Sequence, residues 1–179
     1  EGTYPLKGNG DSGPANPDLV GKRRASIQNA TSCTIDLEAR IDAMLNKGEE
    51  DEFELVNHTE RGQMHLIVYS RTTVAPFISN IEFRQENTGF LHIFPNKGGI
   101  LVTFEIYGTT LAFVSCHLTP HEGVNNCYMR NDSIKEILGG VRVRDTRFDV
   151  SNQTHHIFWM GDMNYRPSFD GKVPPKLWR

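Results

Sequence analysis

The sequence has no long hydrophobic run, no excess of basic charge and little cysteine. None of its 179 residues belongs to an apolar stretch near the roughly 18 residues of a transmembrane helix. Nineteen Lys and Arg stand against 22 Asp and Glu, and the net charge of -3 gives no electrostatic basis for non-specific nucleic-acid binding. With 37% hydrophobic and 23% charged residues, the composition is typical of a folded globular domain and excludes wholesale disorder.

The cysteines exclude two further classes of protein. Cys33, Cys116 and Cys127 are odd in number and have no paired spacing, so neither a disulfide framework nor a CxxC zinc site is indicated. We therefore predict reduced thiols in a cytoplasmic protein. The chain begins at Glu1 and not at Met, and it ends shortly after a segment rich in reactive residues, so we expect it to be part of a longer protein.

The pattern along the chain predicts a mixed α/β domain. Residues 2–32 are rich in Gly, Pro, Asn and Ser and are predicted to form a loop or insertion. Apolar residues near helical spacing predict a first helix over 34–47 (Ile35, Ile41, Met44, Leu45) and a second over 124–138 (Met129, Ile134, Ile137, Leu138). Short runs of strand-forming residues predict strands at 53–57, 64–70, 100–107, 110–116 and 155–160, the last of buried type.

Gly108 separates two of these strands and predicts a β-hairpin. Together the elements predict an α/β sandwich with mixed sheets. Three segments then place polar, reactive residues at the end of an apolar run, which is where a rigid sheet presents catalytic groups.

The first such segment is PNKGG, residues 95–99. Two glycines let a backbone approach a ligand closely, and Lys97 offers a point charge suited to phosphate. The same letters are also typical of a tight turn, and the motif alone does not distinguish a turn from a site.

The second segment, SCHLTPH, contains His117 and His121 at a spacing that binds metal on a helix. Pro120 and the strand-to-loop context mean that the two histidines need not share one face. The better functional interpretation is one histidine, at the strand end, that donates to a phosphoryl oxygen. The alternative is a histidine hydrogen-bonded within a loop.

In the third segment, FWMGDMNYR, an apolar strand leads into Gly-Asp-x-Asn followed by an aromatic residue and an arginine. Asp162 can orient a water, and Asn164 can bind a developing oxyanion. Arg166 has a guanidinium that fits phosphate in a bidentate manner. A structural Gly-Asp turn is the competing explanation, but it does not require Asn, Tyr and Arg together.

These three segments resemble the inositol polyphosphate 5-phosphatases. The family signatures include Asn-Lys-Gly-Gly, His-Leu-Ala-Ala-His and Phe-Trp-x-Gly-Asp-x-Asn-Tyr-Arg, and this sequence has PNKGG, HLTPH and FWMGDMNYR in the same order. The resemblance runs from about residue 64 to residue 166. It implies a deoxyribonuclease-I-like, four-layer α/β/β/α sandwich and Mg²⁺-dependent removal of the 5-phosphate from inositol phosphates or phosphoinositides.

The resemblance also implies residue roles. His117 is expected to contact the scissile phosphate, Asp162 to orient or deprotonate the attacking water, and Asn164 to stabilise the transition state. The remaining residues of the motifs, together with the first residue of the chain, complete the expected site: Asn96, Lys97, His121, Tyr165 and Arg166 at the substrate, and Glu1 as the Mg²⁺ ligand. Carboxylate oxygen is the ligand type that Mg²⁺ prefers.

Several elements of the family pattern are absent from the 179 residues. These are the first strand with its metal-site Asn, a Trp-Cys-Asp-Arg-like segment and a closing Ser-Asp-His, and Thr119-Pro120 replaces Ala-Ala. Groups that act on one phosphoryl transfer act as a unit. We therefore expect the chain to be a partial catalytic domain, residues 1–179, with little or no activity by itself.

Two alternatives stay open at the level of sequence. One is another phosphodiesterase of the same superfold, such as a nuclease or sphingomyelinase, because fold alone does not choose among them. The other is a non-catalytic domain that binds phosphoinositides. By resemblance, the expected partner is an inositol phosphate or phosphoinositide headgroup rather than nucleic acid, with the protein in the cytoplasm and able to contact the cytosolic face of membranes.

Overall fold

A computed structural model describes residues 32–48, 52–88 and 97–166. Within these ranges the chain forms two α-helices and six strands: α1 (Ser32–Leu45), β1 (Phe53–Arg61), β2 (Met64–Arg71), β3 (Ile78–Asn87), β4 (Gly98–Ile106), β5 (Thr109–His117), α2 (Val124–Gly140) and β6 (His156–Asp162). Neither helix combines the length and the apolar character needed to cross a membrane. Apart from Ser32, the predicted loop at 2–32 lies outside the described residues.

The strands form two sheets. β1 and β2 are an antiparallel pair joined by a two-residue turn. The second sheet has the order β3-β4-β5-β6, with antiparallel pairs up to β5 and a parallel pair between β5 and β6. A parallel pair requires a crossover connection, and α2 provides it. The predicted hairpin is confirmed, with Tyr107 and Gly108 both at positive φ (49° and 78°) in the turn.

Two apolar clusters lie on opposite faces of the second sheet. One fills the space between the sheets: Val56, Met64, Leu66, Ile78, Ile81, Ile100, Val102 and Phe104. The other packs α2 and the segment after it against β4 and β5: Leu101, Ala112, Val114, Cys116, Leu118, Ile137, Val141, Val143 and Val150. Since α1 lies against β1 and β2, the described residues form the layers α, β, β and α that the sequence predicts.

The sequence pattern did not predict β3. Its ten residues, ISNIEFRQEN, are mostly polar, and its pairing with β4 shifts register between Ser79 and Glu82. Asn80, within that irregularity, has a φ of 52°. A bulge breaks the period-two alternation that identifies a half-buried strand from sequence.

The predicted burial is wrong for parts of both helices and for β6. Met44 in α1 and Met129 in α2 are exposed, whereas Arg130 and Ser133 join Ile137 on the buried face of α2. The strand at 156–162 lies at one edge of the described sheet, and its side chains are mostly exposed. An apolar run does not reveal whether a strand is central or at an edge, because both contain the same residue types.

Candidate active site

Three strand ends meet at one edge of the second sheet. Gly98 of β4 pairs with His117 of β5, and His117 pairs with Asp162 of β6. Lys97 immediately precedes β4. The sheet register therefore brings together residues from all three motifs, although they lie far apart along the chain.

The side chains of these residues are in contact. Lys97 Nζ lies 2.9 Å from His117 Nε2, and His117 Nε2 lies 3.7 Å from Asp162 Oδ2. An ammonium group can only donate, so the His117 nitrogen that faces Lys97 accepts. The Asp162 side chain is 62% exposed and that of His117 is 31% exposed, so solvent or a ligand can reach both.

The residues after β6 form a tight polar turn. Asp162 Oδ1 accepts from the backbone N–H of Asn164 at 3.0 Å, which fixes one carboxylate oxygen and leaves Oδ2 towards His117. The Asn164 amide donates to the carbonyl of Leu118 at 3.0 Å and accepts from Arg166 Nη2 at 2.8 Å. Asn164 has a φ of 51°. Such a conformation is uncommon for a non-glycine residue and often occurs at functional sites.

The glycines of PNKGG pack against the protein itself. A Cβ on Gly98, which has a φ of 147°, would lie 2.1 Å from the carbonyl oxygen of Glu86. A Cβ on Gly99 would lie 2.7 Å from the Ile137 side chain. The prediction that these glycines let the backbone approach a ligand is therefore not supported by their neighbours. They permit close packing of β4 against β3 and α2.

Arg130 is a site residue that the sequence reasoning missed. It is 2% exposed, and its Nη1 donates to the carbonyls of Thr119 at 3.2 Å and His121 at 2.9 Å. Its guanidinium lies over the Tyr165 ring, 5.3 Å from the centroid. The Tyr165 hydroxyl donates to Asn131 Oδ1. In the sequence, Arg130 is only a polar residue in the middle of the predicted helix at 124–138, and nothing in the helical pattern marks it as part of a site.

Two cavities adjoin these residues. One, of about 770 Å³, is lined by Gly123, Val124, Cys127, Tyr128, Arg130, Tyr165 and Arg166. The other, of about 560 Å³, is lined by Pro120, His121, Glu122 and Arg166. His121, Tyr165 and Arg166 thus line open space, and their predicted role as substrate contacts stays a prediction. Glu1 and Asn96 lie outside the described residues.

Cys116 lies beneath the site and is not one of its reactive groups. It is buried, and burial raises the pKa of its thiol, although the hydrogen bond from Trp159 Nε1 to its sulfur at 3.1 Å acts in the opposite direction. The Trp159 contact ties β6 to β5 close to the ends of both strands. Its role is therefore structural.

The donor set at this edge is compatible with a hard divalent cation. Asp162 supplies an accessible carboxylate, and Asn164 supplies an amide oxygen that the Arg166 guanidinium now occupies. Within the described ranges these two ligands are too few for an all-protein cage. They fit Mg²⁺, which keeps several waters and is bound through one or two carboxylates together with substrate phosphates.

The sequence matches the endonuclease/exonuclease/phosphatase family 2 over residues 19–172, and the chain belongs to this family. Among its relatives, phosphatidylinositol 3,4,5-trisphosphate 5-phosphatase 2A of Danio rerio is 36% identical over 96 residues, which are 52% of this chain and 7% of that protein. The 5-phosphatase 1 of Rattus norvegicus is 34% identical over 106 residues, covering 58% of this chain and 9% of that protein. The predicted resemblance to inositol polyphosphate 5-phosphatases is confirmed.

The fold is similar to that of a solved 5-phosphatase domain. The structure of the inositol polyphosphate 5-phosphatase domain of spsynaptojanin, in complex with inositol (1,4)-bisphosphate and calcium ion, matches with a TM-score of 0.67 and 24% identity. The match covers 80% of this chain and 41% of that one. The predicted fold class is confirmed, and the chain spans less than half of that domain and less than a tenth of the relatives above.

Proposed function

We propose that this chain contributes to the Mg²⁺-dependent hydrolysis of the 5-phosphate of inositol phosphates or phosphoinositides, by attack of water on phosphorus. The observation that carries the proposal is the convergence of Lys97, His117 and Asp162 at three adjacent strand ends. These groups lie at one accessible point, where a cation can bind phosphate, an imidazole can contact a phosphoryl oxygen and a carboxylate can orient or deprotonate a water.

The proposed role of each reacting residue is inferred from its contacts in the structure. The Asp162 carboxylate, with Oδ1 fixed by the Asn164 N–H, orients or deprotonates the attacking water through Oδ2. His117 binds an oxygen of the scissile phosphate when Lys97 turns from the imidazole to the phosphate. The Asn164 amide, held by Leu118, stabilises the charge that develops on phosphorus-bound oxygen.

Substrate binding is assigned to Arg166 and to the residues that line the two cavities. Arg166 lies at both cavities and can exchange its bond with Asn164 for a bidentate bond to phosphate. Tyr165 and His121, which line these cavities, are proposed as further substrate contacts, and so is Asn96 from the first motif. A lipid substrate would bring this edge of the sheet to the cytosolic face of a membrane, and we propose a cytoplasmic, peripheral location on that basis.

Glu1 is the proposed protein ligand of Mg²⁺, together with waters and substrate phosphate oxygens. When bound, the ion neutralises charge on the phosphate during transfer. The residues described above act beside it: they position the water, the phosphate and the developing negative charge.

The function is tested by comparing inositol 1,4,5-trisphosphate with inositol 1,3,4-trisphosphate, which has no 5-phosphate. With protein in excess over labelled substrate and Mg²⁺ present, we expect phosphate release only from the first, and EDTA should stop it. We propose that turnover is far below the roughly 1–10³ s⁻¹ of typical enzymes, because the second Asp and second His of the family pattern are not in the sequence.

The outcomes distinguish a 5-phosphatase from a nuclease and from a non-catalytic binding domain. Equal release from both isomers would refute specificity for the 5-phosphate, and nicking of plasmid DNA in a parallel assay would favour a nuclease. Tight binding of the first isomer without any release at protein excess would favour the non-catalytic reading. Turnover at ordinary enzyme rates would contradict the expectation of low activity.

Replacing Lys97 by methionine is expected to weaken binding of inositol 1,4,5-trisphosphate. Lys97 is the cation at the start of β4 in contact with His117, and loss of one charge-assisted contact costs about tenfold or more in affinity. Isothermal titration measures the change. Lys135→Met is the matched control, because Lys135 is a lysine on α2 that is 77% exposed and pairs with Asp132 rather than with His117. Equal losses in both variants would count against a specific role for Lys97.

A further inference from the structure

A second group of ligand-type side chains lies on the first sheet, apart from the candidate active site. His58 and Glu60 are two residues apart in β1, and His65 of β2 pairs directly with Glu60. Residues two apart on a strand, and the partner directly across, share one face of a sheet. The hairpin therefore places two imidazoles and a carboxylate together on the face that α1 covers.

The distances within this group, which we call the hairpin cluster (His58, Glu60 and His65), are close. His58 Nε2 lies 3.2 Å from His65 Nδ1, and His65 Nδ1 lies 3.7 Å from Glu60 Oε2. The three ligand atoms all lie within 4.8 Å of one another. Two nitrogens bound at 2.0–2.1 Å to one tetrahedral ion are about 3.3 Å apart, so the histidine pair already has the spacing of two ligands.

Glu38 of α1 fixes the orientation of His58. The Glu38 carboxylate bonds to His58 Nδ1, and the His58 side chain is only 3% exposed. A carboxylate accepts from the imidazole N–H, so the proton is at Nδ1 and the Nε2 lone pair faces His65. A carboxylate on the far nitrogen of a histidine is the usual outer partner of a metal-bound imidazole.

We propose that the hairpin cluster is a binding site for Zn²⁺ or a similar borderline divalent cation. His58 Nε2, His65 Nδ1 and Glu60 supply three ligands, Glu38 orients the first, and a water completes the tetrahedron. Rotation of the Glu60 side chain would bring its carboxylate close enough to bind the same ion as the two histidine nitrogens. The His65 and Glu60 side chains are 31% and 24% exposed, which leaves a path for the ion. Imidazole nitrogen excludes Mg²⁺ as the preferred occupant.

This site is independent of the proposed function. Its residues are on β1 and β2, whereas Lys97, His117 and Asp162 are at the ends of strands in the other sheet. The ordinary alternative is a hydrogen bond in which His65 donates to His58 Nε2, without any metal. The two alternatives differ in a direct measurement, because only the first gives a stoichiometric metal complex.

The test uses the untagged, metal-free 179-residue chain titrated with Co²⁺. We expect one equivalent to give the intense visible absorption bands of tetrahedral Co²⁺, and Zn²⁺ but not Mg²⁺ to abolish them by displacement. His65→Gln and Glu60→Gln should weaken Co²⁺ binding at least tenfold, and Glu38→Gln by about tenfold through loss of the orienting bond. The matched control His156→Gln, on an exposed edge-strand histidine, should bind as the original chain does.

Asp162→Asn separates this site from the candidate active site, and its Co²⁺ bands should be unchanged. Far-UV circular dichroism of the metal-free variants checks that each is folded. Absence of tetrahedral bands at one equivalent would overturn the proposal, as would bands that survive in His65→Gln or disappear in Asp162→Asn.

Discussion

Asp162→Asn is expected to abolish phosphate release while leaving the binding of inositol 1,4,5-trisphosphate intact or tighter. Asparagine keeps the oxygen that accepts from the Asn164 N–H, so the turn after β6 is preserved. It removes the base that faces the attacking water, and loss of such a group lowers a rate by about 10²–10⁴-fold. It also removes a negative charge that repels phosphate.

Titration calorimetry measures the binding of inositol 1,4,5-trisphosphate, and an assay with protein in excess over substrate measures the release of phosphate. Asp145→Asn is the matched control, since Asp145 is an acidic residue bound to Arg147 on a loop remote in sequence from the strand ends. A variant at Asp162 that still releases phosphate at the original rate would remove this residue from the proposed chemistry. If Asp162→Asn instead lost binding of inositol 1,4,5-trisphosphate, Asp162 would have a role in holding the headgroup.

Gly161→Ala is expected to destabilise the whole domain. Gly161 has a φ of 113°, and a Cβ there would lie 2.1 Å from the carbonyl oxygen of Cys116 on the neighbouring strand. Neither backbone can move without disturbing the pairing of β5 with β6. We expect the free energy of unfolding to fall by about 3 kcal/mol or more, which lowers the Tm by roughly 6–12 °C in a protein of this size.

Gly139→Ala is the matched control for this prediction. Gly139 is in α2, and a Cβ there would meet nothing within 4 Å. Alanine is favoured over glycine in a helix, so this variant should be more stable by about 0.5–1 kcal/mol. Thermal unfolding followed by circular dichroism compares the two. If both substitutions had the same effect, the close approach at Gly161 would not be the cause.

Local patterns predicted the parts of the fold that depend on nearby residues. The β4–β5 hairpin consists of two unbroken runs of strand-forming residues with a turn at Gly108, and both strands occur within two residues of the predicted bounds. β3 was missed because it is mostly polar and its bulge breaks the period-two alternation of a half-buried strand. Burial on β6 was also mispredicted, because the exposure of an edge strand depends on neighbours that periodicity does not encode.

The sequence identified more of the candidate site than of the packing around it. Lys97, His117 and Asp162 were identified from motifs, and the sheet register explains their meeting. Arg130 was not identified, because a buried arginine on a helix looks like any surface arginine in sequence. Its position follows from two carbonyls in the loop after β5, and these come together only after the domain has folded.

The parallel alignment of β5 with β6 makes the candidate active site an all-or-none arrangement. His117 stands opposite Asp162 in that alignment. Side chains alternate between faces along a strand, so a slip of one residue would send the Asp162 carboxylate to the other face and set Gly161 or Met163 opposite His117. Because strand pairing shifts only by whole residues, no intermediate alignment exists between the two registers. His117 and Asp162 therefore face each other only in the observed register of β5 and β6.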